Sequence, residues 1–334
     1  MRTAVFSAKP YDRTFLDKAN SAGHHELHYI DARLTAATSS MAEGATAVCL
    51  FANDHADAEA IGRLARSGVR LIALRAAGFD NVDLRAARTQ GITVCRVPAY
   101  SPNAVAEHAF ALILSLVRNT CRAYDRIREG NFSLDGLLGF DLAGKTIGIV
   151  GVGKIGSVVA RIARGFGCDV IGSDPVPSDI AGVRFCTLEV LLTVSDIVTL
   201  HCPLSESTRH LIDASALDRM KAGAILVNTS RGAVIDTPAV IRMLEANRLG
   251  GLAIDVYERE ADLFFEDRSG QPMLDDQFAC LLSFPNVLVT GHQGFLTAEA
   301  LTNIAETTIA NLDAFERTGA PLFPVSAALT AHPA

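Results

Sequence analysis

The sequence predicts an α/β protein built from two doubly wound parallel sheets. Short β-branched and aliphatic segments alternate with amphipathic stretches through the first hundred residues, and a second series of this kind opens at "GKTIGIVGVGKIGSVVARIARGFGCDVIGSD". Strands that are separated by helices form parallel sheets with helices on both faces. A chain of 334 residues is also long enough for two domains, each with its own core.

The first series contains five predicted strands, with polar amphipathic stretches such as "DAEAIGRLARSG" between them. The strand segments are short and rich in β-branched and aliphatic residues, which favours buried strands. They are "TAVFS", "ELHYI", "TAVCLF", "VRLIALR" and "GITVCRV".

A long helix is predicted to begin at Ser101, because serine is a good N-cap and Pro102 a good first helical residue. Its wide apolar face indicates burial against a domain or subunit interface.

A last helix is predicted from about Thr297 to Arg317, and residues 321–334 are predicted to be extended chain. Residues 258–278 are predicted to form a long irregular segment with a functional or covering role. The strands expected in this second series are "TIGIV", "CDVIGS", "DIVTLHC", "GAILVNTS", "LGGLAIDVY" and "NVLVTGH".

The composition excludes several classes of protein. Apolar residues make up 49% and charged residues 20%, which is typical of a globular chain, and the net charge of -7 argues against nucleic acid or an anionic membrane as partner. No apolar run is long enough to span a membrane, and the N-terminus lacks the core of a signal peptide. Seven cysteines without CxxC spacing indicate thiols of a reducing compartment. We therefore expect a cytoplasmic protein.

The cluster "HHELH" contains His24, His25 and His28 but does not predict a metal site. His24 and His28 would share a face only on a helix, whereas this segment is typical of a turn that enters a strand.

A dinucleotide-binding fingerprint follows the predicted strand "TIGIV". Gly151, Gly153 and Gly156 form a G-x-G-x-x-G at the start of a helical pattern, and Asp174 follows the next strand. The first glycine permits a tight turn, the second lets a pyrophosphate approach the backbone, and the third lets helix and strand pack closely. A carboxylate at position 174 can accept both ribose hydroxyls of adenosine and would repel a 2′-phosphate. The predicted cofactor is NAD.

Three further polar residues follow successive strands of the second series. Arg231 comes after "GAILVNTS", Glu258 and Glu260 after "LGGLAIDVY", and His292 after "NVLVTG". Because ligands of such a sheet bind at the carboxyl ends of its strands, these residues are expected to converge.

Arginine, carboxylate and histidine together suit the reduction of a 2-oxo acid. A hydride that reaches the carbonyl carbon leaves charge on oxygen, which a protonated imidazole neutralises by donating a proton. A carboxylate on the other ring nitrogen fixes the tautomer, and a guanidinium can bind the substrate carboxylate with two donors.

The order of the motifs resembles the D-isomer-specific 2-hydroxyacid dehydrogenases through nearly the whole chain. The motifs are "VGVGKIG", "HCPLSEST", "VNTSRGAVID", "DVYERE" and "TGHQGFLT". "LRAAGFDNVDL", "VPAYSPNAVAEHA" and "ADLFFEDRS" further resemble the D-lactate dehydrogenase branch. The resemblance implies the NADH-dependent reduction of pyruvate to D-lactate.

The resemblance also assigns individual residues. Arg231, Glu260 and His292 would be catalytic, with Glu260 rather than Glu258 as the histidine partner. The backbone of Ala77 and Gly78 would bind the substrate carboxylate. Tyr100, Phe295 and Phe51 would line the pocket for the substrate side chain. Besides the three glycines and Asp174, the implied cofactor contacts are Lys154, Ile155, Cys202, Pro203, Thr208, Thr229, Ser230, Arg231 and Asp255, the last near the nicotinamide carboxamide.

The family architecture implies a Rossmann-type NAD domain, residues 100–295, inserted into a flavodoxin-like substrate domain, residues 1–99 and 296–334. The active site would lie in the cleft, with hinges near Pro98–Tyr100 and Gly294–Phe295. Gly294 stands where the lactate branch often has alanine, which would loosen the hinge or widen the pocket beside His292.

Two alternatives stay open at this point. One is a D-2-hydroxyacid dehydrogenase for larger 2-oxo acids such as phenylpyruvate, since pocket volume decides this choice. The other is an NAD(H)-sensing scaffold like the related transcriptional corepressors, against which the lack of a long disordered tail argues. The helix from Ser101 leads us to expect a homodimer or a higher homo-oligomer.

Overall fold

The computed structural model describes residues 1–325, and the chain forms two units. One unit contains Met1–Ser101 and the segment that begins at Phe295, and the other contains Pro102–Gly294. Residues 326–334, which belong to the predicted substrate domain and the predicted extended tail, lie outside the described residues. The roles expected for the two domains stay predictions.

The first unit contains a five-stranded parallel sheet in the order β2-β1-β3-β4-β5. This is the flavodoxin-like strand order, as expected. The strands are β1 (Arg2–Val5), β2 (Glu26–Tyr29), β3 (Ala47–Leu50), β4 (Leu71–Leu74) and β5 (Thr93–Cys95). The helices are α1 (Pro10–Ala19), α2 (Ala58–Arg66), α3 (Leu84–Thr89) and α11 (Ala298–Thr318).

Both faces of this sheet are covered because successive side chains of a strand point to opposite sides. In β3, Val48 and Leu50 pack with side chains of α2. Ala47 and Cys49 of the same strand pack with side chains of α1 and α11. Strands that are buried on both faces read as continuous apolar runs, which explains the segment "AVCL".

The second unit contains a seven-stranded parallel sheet in the order β12-β11-β10-β9-β6-β7-β8. This is the doubly wound dinucleotide-binding order with one strand added beside β11. The strands are β6 (Thr146–Val150), β7 (Asp169–Ser173), β8 (Arg184–Phe185), β9 (Ile197–Leu200), β10 (Ala224–Asn228), β11 (Leu249–Ile254) and β12 (Val287–Val289). The helices are α4 (Pro102–Val117), α5 (Thr120–Arg128), α6 (Lys154–Gly165), α7 (Leu188–Val194), α8 (Ala214–Arg219), α9 (Thr237–Glu245) and α10 (Asp276–Ser283).

Helix α4 buries its apolar face within its own unit. Ala106, Phe110, Ile113 and Val117 pack in one cluster with side chains of α6 and of the seven-stranded sheet. The expected burial of this helix is therefore found within its own unit, and the homo-oligomer stays a prediction. Within residues 1–325, no helix is long and apolar enough to cross a membrane.

Segment 258–278 is less irregular than the sequence predicted. A 3₁₀ turn occupies Glu260–Asp262, and α10 begins at Asp276, inside the segment. Asp275 is the N-cap of this helix, and its carboxylate accepts hydrogen bonds from the N–H groups of Gln277 and Phe278. An acidic cap before "FACLL" is a helix-start signal that the sequence analysis missed.

Candidate active site

The carboxyl ends of the strands of the second unit meet at one edge of the sheet, because neighbouring strands are parallel. Val150 at the end of β6 pairs with Ser173 of β7 and with Leu200 of β9. Between β6 and β9 the strand order reverses, which is where such sheets bind ligands. The candidate residues of this unit lie in the loops that leave these strand ends.

The glycine turn after β6 has the geometry that its sequence predicts. Gly151 has a φ of +87°, and a Cβ there would lie 2.6 Å from the backbone nitrogen of Cys202. A Cβ at Gly156 would collide with the carbonyl oxygen of Gly151. Gly153, the N-cap of α6, has no atom within 4 Å of such a Cβ. The turn therefore leaves open space at the N-terminus of α6, where Lys154 and Ile155 begin the helix.

Asp174 lies beside this turn, directly after β7. Its Oδ2 accepts a hydrogen bond of 2.8 Å from the N–H of Val152, and its Oδ1 accepts one of 2.9 Å from the N–H of Val176. These bonds fix the carboxylate at the glycine turn. Since an ionised carboxylate has about four acceptor sites, each oxygen retains capacity for a ligand hydroxyl.

The loops after β9 and β10 carry the other expected cofactor contacts. Thr208 Oγ1 donates to the carbonyl oxygen of Pro203 at 2.6 Å, which closes the loop that begins at the buried Cys202. Ser230 Oγ donates to Asn228 Oδ1 at 2.8 Å. Thr229 Oγ1 is buried and has no hydrogen-bond partner among residues 1–325. An orphaned hydroxyl, an open helix N-terminus and a fixed aspartate at one edge of the sheet fit a bound dinucleotide.

His292 and Glu260 are in direct contact, although 32 residues separate them. His292 Nδ1 lies 2.7 Å from Glu260 Oε1, and Glu260 Oε2 accepts a hydrogen bond of 2.8 Å from the N–H of Tyr257. An ionised carboxylate only accepts hydrogen bonds, so this contact requires the proton on Nδ1. The second ring nitrogen, Nε2, is then the one that can exchange a proton with a ligand.

Glu258 has a different partner. Its Oε1 lies 2.9 Å from His210 Nε2. The structure thus pairs each glutamate of "DVYERE" with its own histidine, and Glu260 is the one at His292.

Arg231 follows β10 and begins the 3₁₀ turn Gly232–Val234. Its Nη1 donates to the carbonyl oxygen of Ser230 at 2.8 Å. A Cβ at Gly232 would collide with the backbone of Tyr257 and Glu258. Glycine at this position therefore allows the Arg231 turn to pack against the start of the turn that carries Glu260.

Asp255 is buried at the end of β11. Its carboxylate accepts hydrogen bonds from the N–H groups of Gln293 and Gly294, at 2.9 and 2.8 Å. The residue expected near the nicotinamide thus also contacts the backbone that follows His292.

Phe265, which was not among the predicted site residues, has its ring centroid 5.6 Å from that of His292. Phe265 belongs to the 258–278 segment, and its φ of +67° is rare for an aromatic residue. The only signal for it was the length of that segment.

In the first unit, Phe51 and Phe295 form an aromatic contact with ring centroids 5.3 Å apart. Two residues that were not predicted support this pair. The ring centroid of Tyr11 lies 6.3 Å from that of Phe295. The buried guanidinium of Arg75 lies 5.0 Å from the Phe51 centroid and 3.0 Å from Asp12 Oδ1. These contacts hold the two predicted wall residues together.

The remaining predicted residues of the first unit lie at strand ends and near its boundary. Ala77 and Gly78 follow β4, and Arg96 Nη1 donates to the carbonyl oxygen of Ala77 at 2.9 Å. Because a peptide is planar, this bond also orients the N–H of Gly78. The carbonyl oxygen of Tyr100 accepts a hydrogen bond of 2.6 Å from Asn303 Nδ2.

Two histidines of "HHELH" have defined places in the first unit. His25 is buried, and its Nε2 lies 3.0 Å from Asp313 Oδ1. His28 lies in β2. In the part of the chain that the structure describes, no group of three or more histidine, cysteine or acidic residues could hold a metal ion.

Comparison with known proteins gives consistent matches over nearly the whole chain. Residues 110–294 match the family described as D-isomer specific 2-hydroxyacid dehydrogenase, NAD binding domain. The D-lactate dehydrogenase of Escherichia coli (strain K12) is 48% identical over 320 residues, which are 95% of this chain and 97% of that protein. The D-lactate dehydrogenase kk1H of Curvularia clavata is 50% identical over 319 residues, 94% of this chain and 92% of that protein.

A solved structure has the same fold. The chain is similar to the structure described as the pyruvate reductase of Chlamydomonas reinhardtii, with a TM-score of 0.88 and 45% sequence identity. The match covers 96% of this chain and 98% of that one.

Replacing Asp174 should change the choice of cofactor. A carboxylate at this position can hydrogen-bond the adenosine ribose and would repel the 2′-phosphate of NADPH, and the next basic residue along the chain is Arg184. We expect Asp174→Ala to reduce the ratio of kcat/KM for NADH to kcat/KM for NADPH about tenfold or more, from the loss of 1–3 kcal/mol of hydrogen bonding and repulsion. The matched control is Asp179→Ala, which removes an equal charge from the same loop. Equal use of both cofactors by the unmodified protein would contradict the role of Asp174.

Proposed function

Because the chain belongs to the family of the D-isomer-specific 2-hydroxyacid dehydrogenases, we propose that it catalyses the NADH-dependent reduction of pyruvate to D-lactate. The enzyme class and the cofactor follow from the family, whose matched region is its NAD-binding domain. The observation that carries the proposal for the catalytic residues is the 2.7 Å contact between His292 Nδ1 and Glu260 Oε1.

His292 is the proton donor of the proposed reaction. Bound NADH would supply the hydride that adds to the carbonyl carbon of pyruvate. The Nε2 proton of the His292 imidazolium passes to the carbonyl oxygen, so that an alcohol forms and the imidazole becomes neutral. Glu260 keeps the other proton on Nδ1 and favours the imidazolium before the transfer. Solvent returns the proton to His292 after the product leaves.

Arg231 is proposed to bind the substrate carboxylate. A guanidinium forms two parallel hydrogen bonds with a carboxylate, which fixes the orientation of the substrate as well as binding it. The packing of Gly232 against Tyr257 and Glu258 supports this role, since it fixes the Arg231 turn beside the turn of Glu260. In the first unit, the oriented N–H of Gly78 is proposed as a substrate-binding donor.

The aromatic contacts of the first unit support a small substrate side chain. Phe51 and Phe295 are buried, and Tyr11 and Arg75 pack against them. These aromatic side chains cannot move away to admit a larger substrate side chain without displacing Arg75. That displacement would break the buried hydrogen bonds of Arg75 with Asp12 and with the Ser7 carbonyl. We therefore favour pyruvate over phenylpyruvate.

The protein is further proposed to form a homodimer through an apolar arm, residues 120–140. Helix α5 within it has no buried residue. The arm exposes Phe132, Leu134 and Leu138 at 75%, 82% and 95%, together with Tyr124 and Ile127. Exposed apolar clusters of this kind mark interaction sites. The arm also carries both acidic and basic residues, which suits pairing with a second copy of itself.

A cytoplasmic location is proposed because the cysteine side chains are free thiols and form no disulfide bonds. All seven cysteines are free: Cys49, Cys95, Cys121, Cys168, Cys186, Cys202 and Cys280. Burial raises the pKa of Cys49 and of Cys202 to about 11, so neither forms a reactive thiolate at neutral pH. Unpaired, unreactive thiols suit a reducing compartment.

Replacing Glu260 should abolish most activity, whereas replacing Glu258 should not. Glu260→Gln removes the charge that stabilises the imidazolium, so kcat with pyruvate is expected to fall about a hundredfold or more, as it should in His292→Ala. Glu258→Gln, the matched control, should retain kcat within about threefold, because its partner is His210. NADH binding, followed by fluorescence, should be nearly unchanged in all three variants. Equal losses in the two glutamate variants would show that Glu260 has no special role.

Steady-state rates with three 2-oxo acids test the substrate. We expect kcat/KM to decrease from pyruvate to 2-oxobutyrate to phenylpyruvate, because one unaccommodated hydrophobic group changes specificity by about 1–3 kcal/mol. A higher kcat/KM for phenylpyruvate than for pyruvate would contradict pyruvate as the substrate, but it would still agree with the reduction of a 2-oxo acid.

Charging the apolar arm should separate the dimer. Leu134→Glu and Leu138→Glu together would bury two unpaired carboxylates in the contact, which is unfavourable. Light scattering after size exclusion should give twice the chain mass for the unmodified protein and one chain mass for the double variant. The control is Leu274→Glu, at an equally exposed leucine outside the arm. A double variant of unchanged mass would place the contact elsewhere.

A further inference from the structure

The turn that carries His292 has a backbone conformation that needs support. β12 ends at Val289, and His292 has a φ of +53°, in the left-handed region. For a residue with a Cβ this conformation is unfavourable, because the Cβ comes too close to the following carbonyl oxygen. Such a conformation persists only when the surrounding structure fixes it.

Asp255 provides this support from the end of the neighbouring strand. Its Oδ1 accepts hydrogen bonds from the Thr290 hydroxyl at 2.5 Å and from the Gln293 N–H at 2.9 Å. Its Oδ2 accepts one from the Gly294 N–H at 2.8 Å. One buried carboxylate thus binds the turn on both sides of His292. Burial opposes ionisation of Asp255, but hydrogen bonds from His108, Thr290 and the Gln293 N–H outweigh it and lower the pKa of the carboxyl.

His108 completes this network from α4. Its Nε2 lies 3.2 Å from Asp255 Oδ1 and 3.1 Å from Thr290 Oγ1. An ionised carboxylate only accepts, so the proton is on Nε2 and His108 donates to Asp255. The imidazole is mostly buried, with 15% of its side chain exposed.

The backbone at Gly294 packs tightly against both residues. A Cβ at this position would lie 3.1 Å from Asp255 Oδ2 and 3.4 Å from His108 Cδ2. The glycine therefore packs against this network and lets the Asp255 carboxylate approach the Gly294 N–H.

We propose that His108 is a positioning residue for proton transfer, which acts by fixing Asp255 and, through it, the turn that places the His292 imidazole. The inference rests on the proposed role of His292 as proton donor. A catalytic group that is misplaced by about 1 Å can lower a rate roughly a hundredfold, so a residue without contact to the substrate can control turnover in this way.

The test compares His108→Leu, which removes the donor, with His108→Gln, whose side-chain amide can donate from nearly the same place. With pyruvate and NADH at saturation, we expect kcat of His108→Leu to fall about tenfold or more and that of His108→Gln to stay within about threefold. KM for NADH should change less than about threefold in both, since the loss is in placing the proton donor. Thr290→Val, which removes another hydrogen bond to Asp255, should lower kcat in the same direction, and it carries the test should His108→Leu fail to fold.

The control is His25→Leu, which breaks another buried histidine–carboxylate contact, with Asp313 in the first unit. It should lower the midpoint of thermal unfolding and leave kcat unchanged. The inference is overturned if His108→Leu keeps kcat within about twofold, if His108→Gln loses as much as His108→Leu, or if KM for NADH rises in step with the loss. Failure of the proposed function would instead be seen in the unmodified protein, as an absence of pyruvate reduction.

Discussion

The hydrogen bond between Glu260 and His292 is the contact on which the chemistry proposed for this protein depends. It exists because β11 and β12 are parallel neighbours, so that the loops after them leave the same edge of the sheet. Glu260 determines which nitrogen of the His292 ring holds its proton and therefore which nitrogen is left for the proposed proton transfer. The Glu260 carboxylate also accepts a hydrogen bond from the N–H of Tyr257, and this bond fixes the carboxylate near the end of β11.

Close backbone packing is the second requirement of the site. Side chains at Gly151, Gly156 and Gly232 would collide with backbone atoms of neighbouring loops. These glycines allow the strand-end loops to converge, whereas Gly153 leaves space for a ligand. Glycine thus has two functions in this unit: three glycines permit close contact between backbones, and one leaves open space at a helix N-terminus.

Much of the fold could be predicted from the sequence because its strands are buried on both faces and its helices have polar and apolar sides. The glycine fingerprint and Asp174 could be located for the same reason, since their spacing follows strand and helix lengths. The choice of Glu260 over Glu258 came from family resemblance. Both glutamates lie in the same loop, two residues apart, and the sequence pattern does not indicate which of them contacts His292. The start of α10 at Asp276 was not predicted, although the acidic N-cap Asp275 before it is a helix-start signal.

The supporting residues could not be found in this way. His108 lies in a helix whose pattern indicates only burial, and its contact with Asp255 spans 147 residues. Tyr11 and Phe265 likewise meet Phe295 and His292 only through the tertiary structure. For helix α4 the sequence indicates burial but not what covers the apolar face, and the structure shows the seven-stranded sheet and α6 packed against it.

A double-mutant cycle tests the central claim, that Glu260 acts in catalysis through His292. Turnover of pyruvate with NADH would be measured for the unmodified protein, Glu260→Gln, His292→Ala and the double variant. If the carboxylate acts only through the imidazole, the double variant should be no slower than His292→Ala alone. Losses that multiply in the double variant would mean that the two residues act independently, and would contradict the account.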